Sequence, residues 1–229
     1  MNDRYTTLRT GAGRARAATS VIDSSAQRVL RNTYMLLSLC LGFAAVTAGA
    51  AAALGLPHPG ILLTLVGYFG LLFLVTKYRD RGLGIAFVFA LTGFMGYTLG
   101  PIVSAYLNMP NGVQTVMTAL GGTAAIFLGL SAYALVSKRD LSFMGGFLMI
   151  GVLVAFLAGL AAIFLNIPAL SLAVSAVFVL LMSGMILYET NNIVRGGETN
   201  YVMATLTLFV SIFNLFTSLL HLLGFANNE

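Results

Sequence analysis

Five polar side chains in the last apolar stretch of the chain, Thr207, Ser211, Asn214, Ser218 and His221, are spaced four, three, four and three residues apart. On a helix that spacing places all five on one stripe. The opposite side of the same helix carries Leu206, Phe209, Val210, Phe213 and Leu220. Such a stripe has two chemical uses. It can tie helices together by hydrogen bonds, each worth about 0.6 kcal/mol in a bilayer, or it can line a path for protons or cations. Upstream stands Glu189, followed by Thr190, Asn191, Asn192, Ile193 and Val194. The trailing apolar residues carry the helix about a turn past the carboxylate, which puts it inside the membrane interface. There a carboxylate needs a partner or a proton, unless it snorkels to water. Arg195, six residues on, is the candidate partner across the turn. Gly196-Gly197 form a flexible joint, and Glu198 suits the first turn of the next helix.

No enzymatic constellation accompanies these residues. The two histidines, His58 and His221, and the single Cys40 make no metal cluster. There is no phosphate-binding glycine loop and no nucleophile elbow. The sequence points to no catalytic residue, no resident cofactor and no bound metal. Calcium enters only as an ion that a pathway would pass.

The elements that position the polar groups are membrane spans. The chain is 59% hydrophobic and 8% charged over 229 residues, where a soluble domain carries about a quarter charged residues. Seven apolar runs are each long enough to span: Thr33–Leu56, Gly60–Thr76, Leu83–Leu107, Gly112–Val136, Phe143–Leu165, Ala169–Val194 and Tyr201–Leu223. The expected organisation is a tail over 1–32, partly disordered, a transmembrane domain over 33–224, and a short end over 225–229. The small-residue stretch Ala48-Gly49-Ala50 lies within a run too long for a signal peptide, so an uncleaved first span is expected. Cys40 falls inside that span, where an inert buried thiol is expected.

Charge orients the bundle. Arg4, Arg9, Arg14, Arg16, Arg28 and Arg31 precede the first run; Lys77, Arg79 and Arg81 follow the second; Lys138 and Arg139 follow the fourth; Arg195 follows the sixth. The alternate turns, near Pro57, Pro110 and Pro168, carry none. Positive loops stay inside, so the N-terminus is expected in the cytoplasm and the C-terminus on the far side, periplasmic in a bacterium. The net charge of +5 is thus topological, and no nucleic-acid partner is expected. The Arg-rich tail suits contact with anionic lipid, a protein partner, or topology alone.

The outer turns repeat a phrase: Leu54-Gly55-Leu56-Pro57, Leu107-Asn108-Met109-Pro110 and Leu165-Asn166-Ile167-Pro168. The inner turns repeat Arg79-Asp80 and Arg139-Asp140. The simplest reading is three tandem helical hairpins and an unpaired seventh helix, with either duplication or shared turn chemistry behind the phrase. Small residues at helical spacing, Gly93/Gly96/Gly100, Gly121/Ala125/Gly129 and Gly151/Ala155/Gly159, predict close helix packing. Gly100-Pro101 predicts a kink or break in the third span.

Three segments, Thr92-Gly93-Phe94-Met95-Gly96-Tyr97-Thr98-Leu99-Gly100-Pro101, Leu187-Tyr188-Glu189-Thr190 and Asn214-Leu215-Phe216, carry a resemblance to the Bax inhibitor-1 family of seven-span membrane proteins. It covers essentially the whole chain after the tail. Leu30-Arg31-Asn32-Thr33-Tyr34, Leu63-Thr64-Leu65-Val66-Gly67, Gly196-Gly197-Glu198-Thr199-Asn200-Tyr201 and Leu223-Gly224-Phe225 resemble a bacterial inner-membrane branch of it. The resemblance implies an all-α integral membrane protein, with six helices surrounding a central C-terminal seventh. It implies a non-enzymatic partner of the membrane AAA protease FtsH, which it modulates, in the bacterial inner membrane. It also implies a second role, a pH-sensitive calcium or cation leak, in which two acids on the last two helices share a proton. Glu189 stands at the first acidic position and Ser211 at the second. A Glu–Ser pair has no coupled titration, and no Lys or Arg lies inside a span to act as a latch.

Overall fold

The computed structural model describes residues 3–137 and 139–227, with side chains from residue 24 onward. Seven helices follow one another: α1 (Asp3–Ala53), α2 (Ile61–Tyr78), α3 (Gly82–Leu107), α4 (Gly112–Val136), α5 (Met144–Phe164), α6 (Pro168–Val194) and α7 (Tyr201–Ala226). All seven are long and apolar enough to cross a membrane, α1 over Ser24–Ala53, and no strand occurs among the described residues. Ala26, ahead of the expected first span, is already buried. The expected disorder of the tail falls, for residues 1–23, outside the described side chains.

α7 lies at the centre. Half of its span is buried inside the protein, against 6% of α2. It packs on α1, α3, α4 and α6, and a cavity separates it from α2 and α5. Six helices thus border the seventh, as the resemblance implied. Leu206, Phe209 and Leu220 are as enclosed as Ser211 and Ser218, while Met203, Thr207, Val210, Asn214, Thr217 and His221 form a face that is only half-buried. The polar stripe is consequently not the sole inward face.

The helices pair as two units of three, in place of the expected tandem hairpins. α3 packs on both α1 and α2; α6 packs on both α4 and α5. Alternate crossing makes the units opposite in direction. The shared outer phrase performs different local jobs: Pro57 lies in an irregular connection, Pro110 in a turn before α4, and Pro168 at the first turn of α6.

Close approach is greatest between α1 and α3. A methyl group at Gly96 would run into the Thr47 hydroxyl and the Ala44 carbonyl, and one at Gly100 would lie 2.6 Å from the Ala48 carbonyl. α3 continues unbroken through Pro101, so the expected break does not occur. The small stripe on α4 behaves differently. Gly121 and Gly129 meet nothing within 4 Å, because that face of α4 points out of the bundle. On α5, Gly151 receives the Leu181 side chain from α6. Cys40 is fully buried in the core with Leu37, Val88 and Leu91.

Candidate functional site

Glu189 sits on α6 five residues before its last residue, Val194, about 7 Å from that helix end at the usual rise. It is only 5% exposed, and its Oε1 has no hydrogen-bond partner. Ser211 is ten residues into α7, about 15 Å from the same end of the bundle. The two are therefore at different depths. Ser211 donates instead to the Thr207 carbonyl of its own helix, at 2.8 Å. The acid that does stand near Glu189 is Glu198, close enough for the two negative charges to act on each other. Glu198 lies outside α7, where its Oε1 accepts the Asn200 backbone N–H at 2.7 Å. The first-turn role expected for it belongs to Asn200. That side chain accepts from the Val202 and Met203 amides and caps α7.

A polar cluster surrounds the inner ends of α1, α6 and α7. Thr33, Thr190 and Thr205 are all fully buried. Thr205 donates to the Tyr201 carbonyl at 2.7 Å and lies 3.3 Å from the Thr33 carbonyl. The Tyr34 hydroxyl is 3.4 Å from that of Thr190. The Thr33 hydroxyl, like Glu189 Oε1, is buried without a partner. Leaving such groups unpaired costs about 1–3 kcal/mol each.

Two asparagines tie this end of the bundle to the inner turns. Asn200 donates to Asp80 Oδ1 at 2.8 Å and lies 3.3 Å from the Arg79 carbonyl. Asn191 donates to the Arg139 carbonyl and accepts the Leu141 amide, at 3.2 and 3.3 Å. The repeated Arg-Asp turns are thus each held from the α6–α7 region. Gly196, with φ of 75°, makes the joint between the two helices, a backbone conformation that glycine adopts without strain. Sequence reasoning missed both clasps. The signal for Asn200 was an Asn directly before an apolar run; nothing local marks the reach of Asn191.

Arg195 lines a pocket of about 280 Å³ with Asp140, Ser142, Tyr188 and Asn191. Its charge acts on Asp140. The Asp140 carboxyl lies below its ordinary range, first because the Ser142 hydroxyl and amide donate to it at 2.7 and 2.9 Å, then because of Arg195.

The stripe on α7 makes one bond to another helix: His221 Nδ1 meets the Ser175 hydroxyl of α6 at 2.8 Å. Asn214 donates to the Val210 carbonyl at 2.8 Å and borders the mid-membrane cavity. Ser218 is buried and Thr207 half-buried. No group of three or more metal-ligating side chains occurs among the described residues.

Comparison with known proteins agrees with this architecture. The family model "Inhibitor of apoptosis-promoting Bax1" matches residues 26–228. The chain is 54% identical to the "Modulator of FtsH protease YccA" of Escherichia coli K12, over 90% of this chain and 93% of that one. It is 49% identical to an uncharacterised protein of Pseudomonas aeruginosa, over 88% and 90% of the two chains. It is 44% identical to an uncharacterised membrane protein of Vibrio cholerae, over 88% and 91%. With a family match across residues 26–228 and 54% identity to a relative over 90% of its length, this multi-pass membrane protein belongs to the Bax inhibitor-1 family.

Proposed function

We propose that this protein is a non-enzymatic modulator of the membrane AAA protease FtsH in the bacterial inner membrane. The observation that carries the reading is the 54% identity, nearly end to end, with a protein named for that activity; the same relative in a second strain is called an inner membrane protein. The one-sided basic residues support an orientation with the N-terminus, the α2–α3 and α4–α5 turns and the α6–α7 joint in the cytoplasm and the C-terminus in the periplasm. An AAA protease draws its clients in by an end, and the Arg-rich segment before Ser24 is the end offered on that side. The protein then acts by occupying the protease and delaying other membrane clients. Removing residues 2–23 abolishes the delay if the reading holds. Unchanged turnover of both this chain and a second client, with unchanged folding, contradicts it.

A second reading rests on Glu189, whose buried Oε1 has no partner. As a proton-controlled cation leak, with calcium as the permeant ion, the protein would take its second acid from Glu198 in the joint, since the family's second position is Ser211. Glu189→Gln and Glu198→Gln each then remove the pH response of flux in vesicles. Flux no greater than that of empty vesicles at every pH refutes the leak.

A further inference from the structure

A cavity lies at mid-membrane, between α7 and the two outlying helices α2 and α5. The cavity there has a volume of about 430 Å³, within the range of ligand sites. α2 packs on α3 and α5 on α6, so these two corresponding helices face each other across an opening. The edge of one ring against another, Phe69 on Phe156 with centroids 5.9 Å apart, spans it. Leu153 and Phe69, which line the cavity, are 57% and 47% exposed on the outer surface of the protein. The cavity therefore opens sideways, toward the bilayer.

Its wall is hydrocarbon. The aromatic rings of Phe94, Phe178 and Phe213 and the thioethers of Met95 and Met182 make up much of it. Tyr68 is among the lining residues, and the other three hydrogen-bonding side chains each direct a donor to their own helix's backbone or its N-cap. Thr64 donates to Gly60, Thr98 to Met95 and Asn214 to Val210, at 2.8 Å in each case. A cavity so lined holds water poorly and takes apolar occupants instead. The depth agrees: Asn214 is thirteen residues into α7, about 20 Å along a span crossing about 30 Å of hydrocarbon.

We propose that this cavity is a lipid site, filled by one acyl chain of a bilayer phospholipid that enters beside the Phe69–Phe156 pair. The acyl chain is the occupant because the mouth opens among acyl chains and the wall is mostly hydrocarbon. Methionine thioethers adapt to a flexible chain, and the cavity then contributes dispersion contacts that an empty one lacks.

The chain contains no Trp, so a single introduced Trp reports the site. Phe213→Trp places the probe on the central helix, at the cavity wall. Phe216→Trp places it three residues on, packed against Val116 and Ala119 of α4. Both are reconstituted in nanodiscs of phosphatidylcholine with brominated chains and, for comparison, ordinary chains. The site predicts that Trp at 213 loses most of its emission to brominated chains, that Trp at 216 keeps its emission, and that Met182→Trp behaves as 213 does. Full emission at both 213 and 182, in variants that unfold at the parent temperature, overturns the proposal. So does quenching at those positions by aqueous iodide but not by brominated lipid, which marks a water-filled cavity.

Discussion

Asn200 Nδ2 and Asp80 Oδ1 are 2.8 Å apart, although 120 residues separate them in the chain. The same asparagine caps α7 with its carbonyl oxygen. One side chain therefore starts the central helix and fastens the α2–α3 turn to it. Replacing Asn200 by Ala removes both functions, and loss of the cap alone costs about 0.5–2 kcal/mol. Asp80→Ala removes only the clasp. Thermal unfolding in nanodiscs should rank the Asn200 variant clearly below the Asp80 variant, with Asp80→Ala close to the parent. Equal melting temperatures would deny the dual role.

Asn191 does the corresponding work for the α4–α5 turn. Asn191→Leu leaves the Leu141 amide and the Arg139 carbonyl without their side-chain partner. Amide exchange over residues 139–142 should accelerate while exchange within α4 stays as it was. Protection retained in that turn would show that Asn191 is incidental to it.

Asp140 gives the same turn a pH dependence. Its folded carboxyl is held below the ordinary value by Ser142 and Arg195. A depressed carboxyl stabilises the turn above its unfolded pKa, and the effect is lost as pH falls through the lower, folded value. Ordering of residues 140–142 should thus persist through the mildly acidic range and fail only below about pH 3.8. Ser142→Ala should move that loss upward in pH, measured by amide exchange with pH-matched controls.

Glycine has opposite meanings on α3 and α4. Gly96→Leu forces α1 and α3 apart, since even a methyl group there meets Thr47 and Ala44; overpacking of this kind costs about 1–3 kcal/mol or more. Gly129→Ala enters open space and should shift stability by less than about 0.5 kcal/mol. Reversible unfolding in mixed micelles separates the two. A destabilised Gly129→Ala variant would indicate a contact on that face with another molecule.

These contrasts show what the sequence carried. Apolar run length and the one-sided basic residues located seven spans, because the bilayer imposes both on any chain that crosses it. The continuation of α1 as a helix through Arg28 and Arg31 was not legible, because their charges interrupt the apolar pattern. The small stripes were visible as spacing, yet Gly96 and Gly129 look alike in one dimension; which face a neighbour covers is a tertiary fact. Glu189 was legible as an acid inside a helix end. Its proximity to Glu198, and the depth difference from Ser211, depend on how α6 and α7 turn at Gly196. The cavity left no sequence trace, since it arises from two helices that do not close on each other.

The central claim is modulation of the protease. The most direct measurement is degradation of a membrane client by purified FtsH in proteoliposomes, with this protein absent, present, or lacking residues 2–23. The account predicts slower client loss with the full chain and parent-like loss with the shortened one. Client loss at the same rate in all three, with this protein folded and in molar excess over the protease, would contradict it.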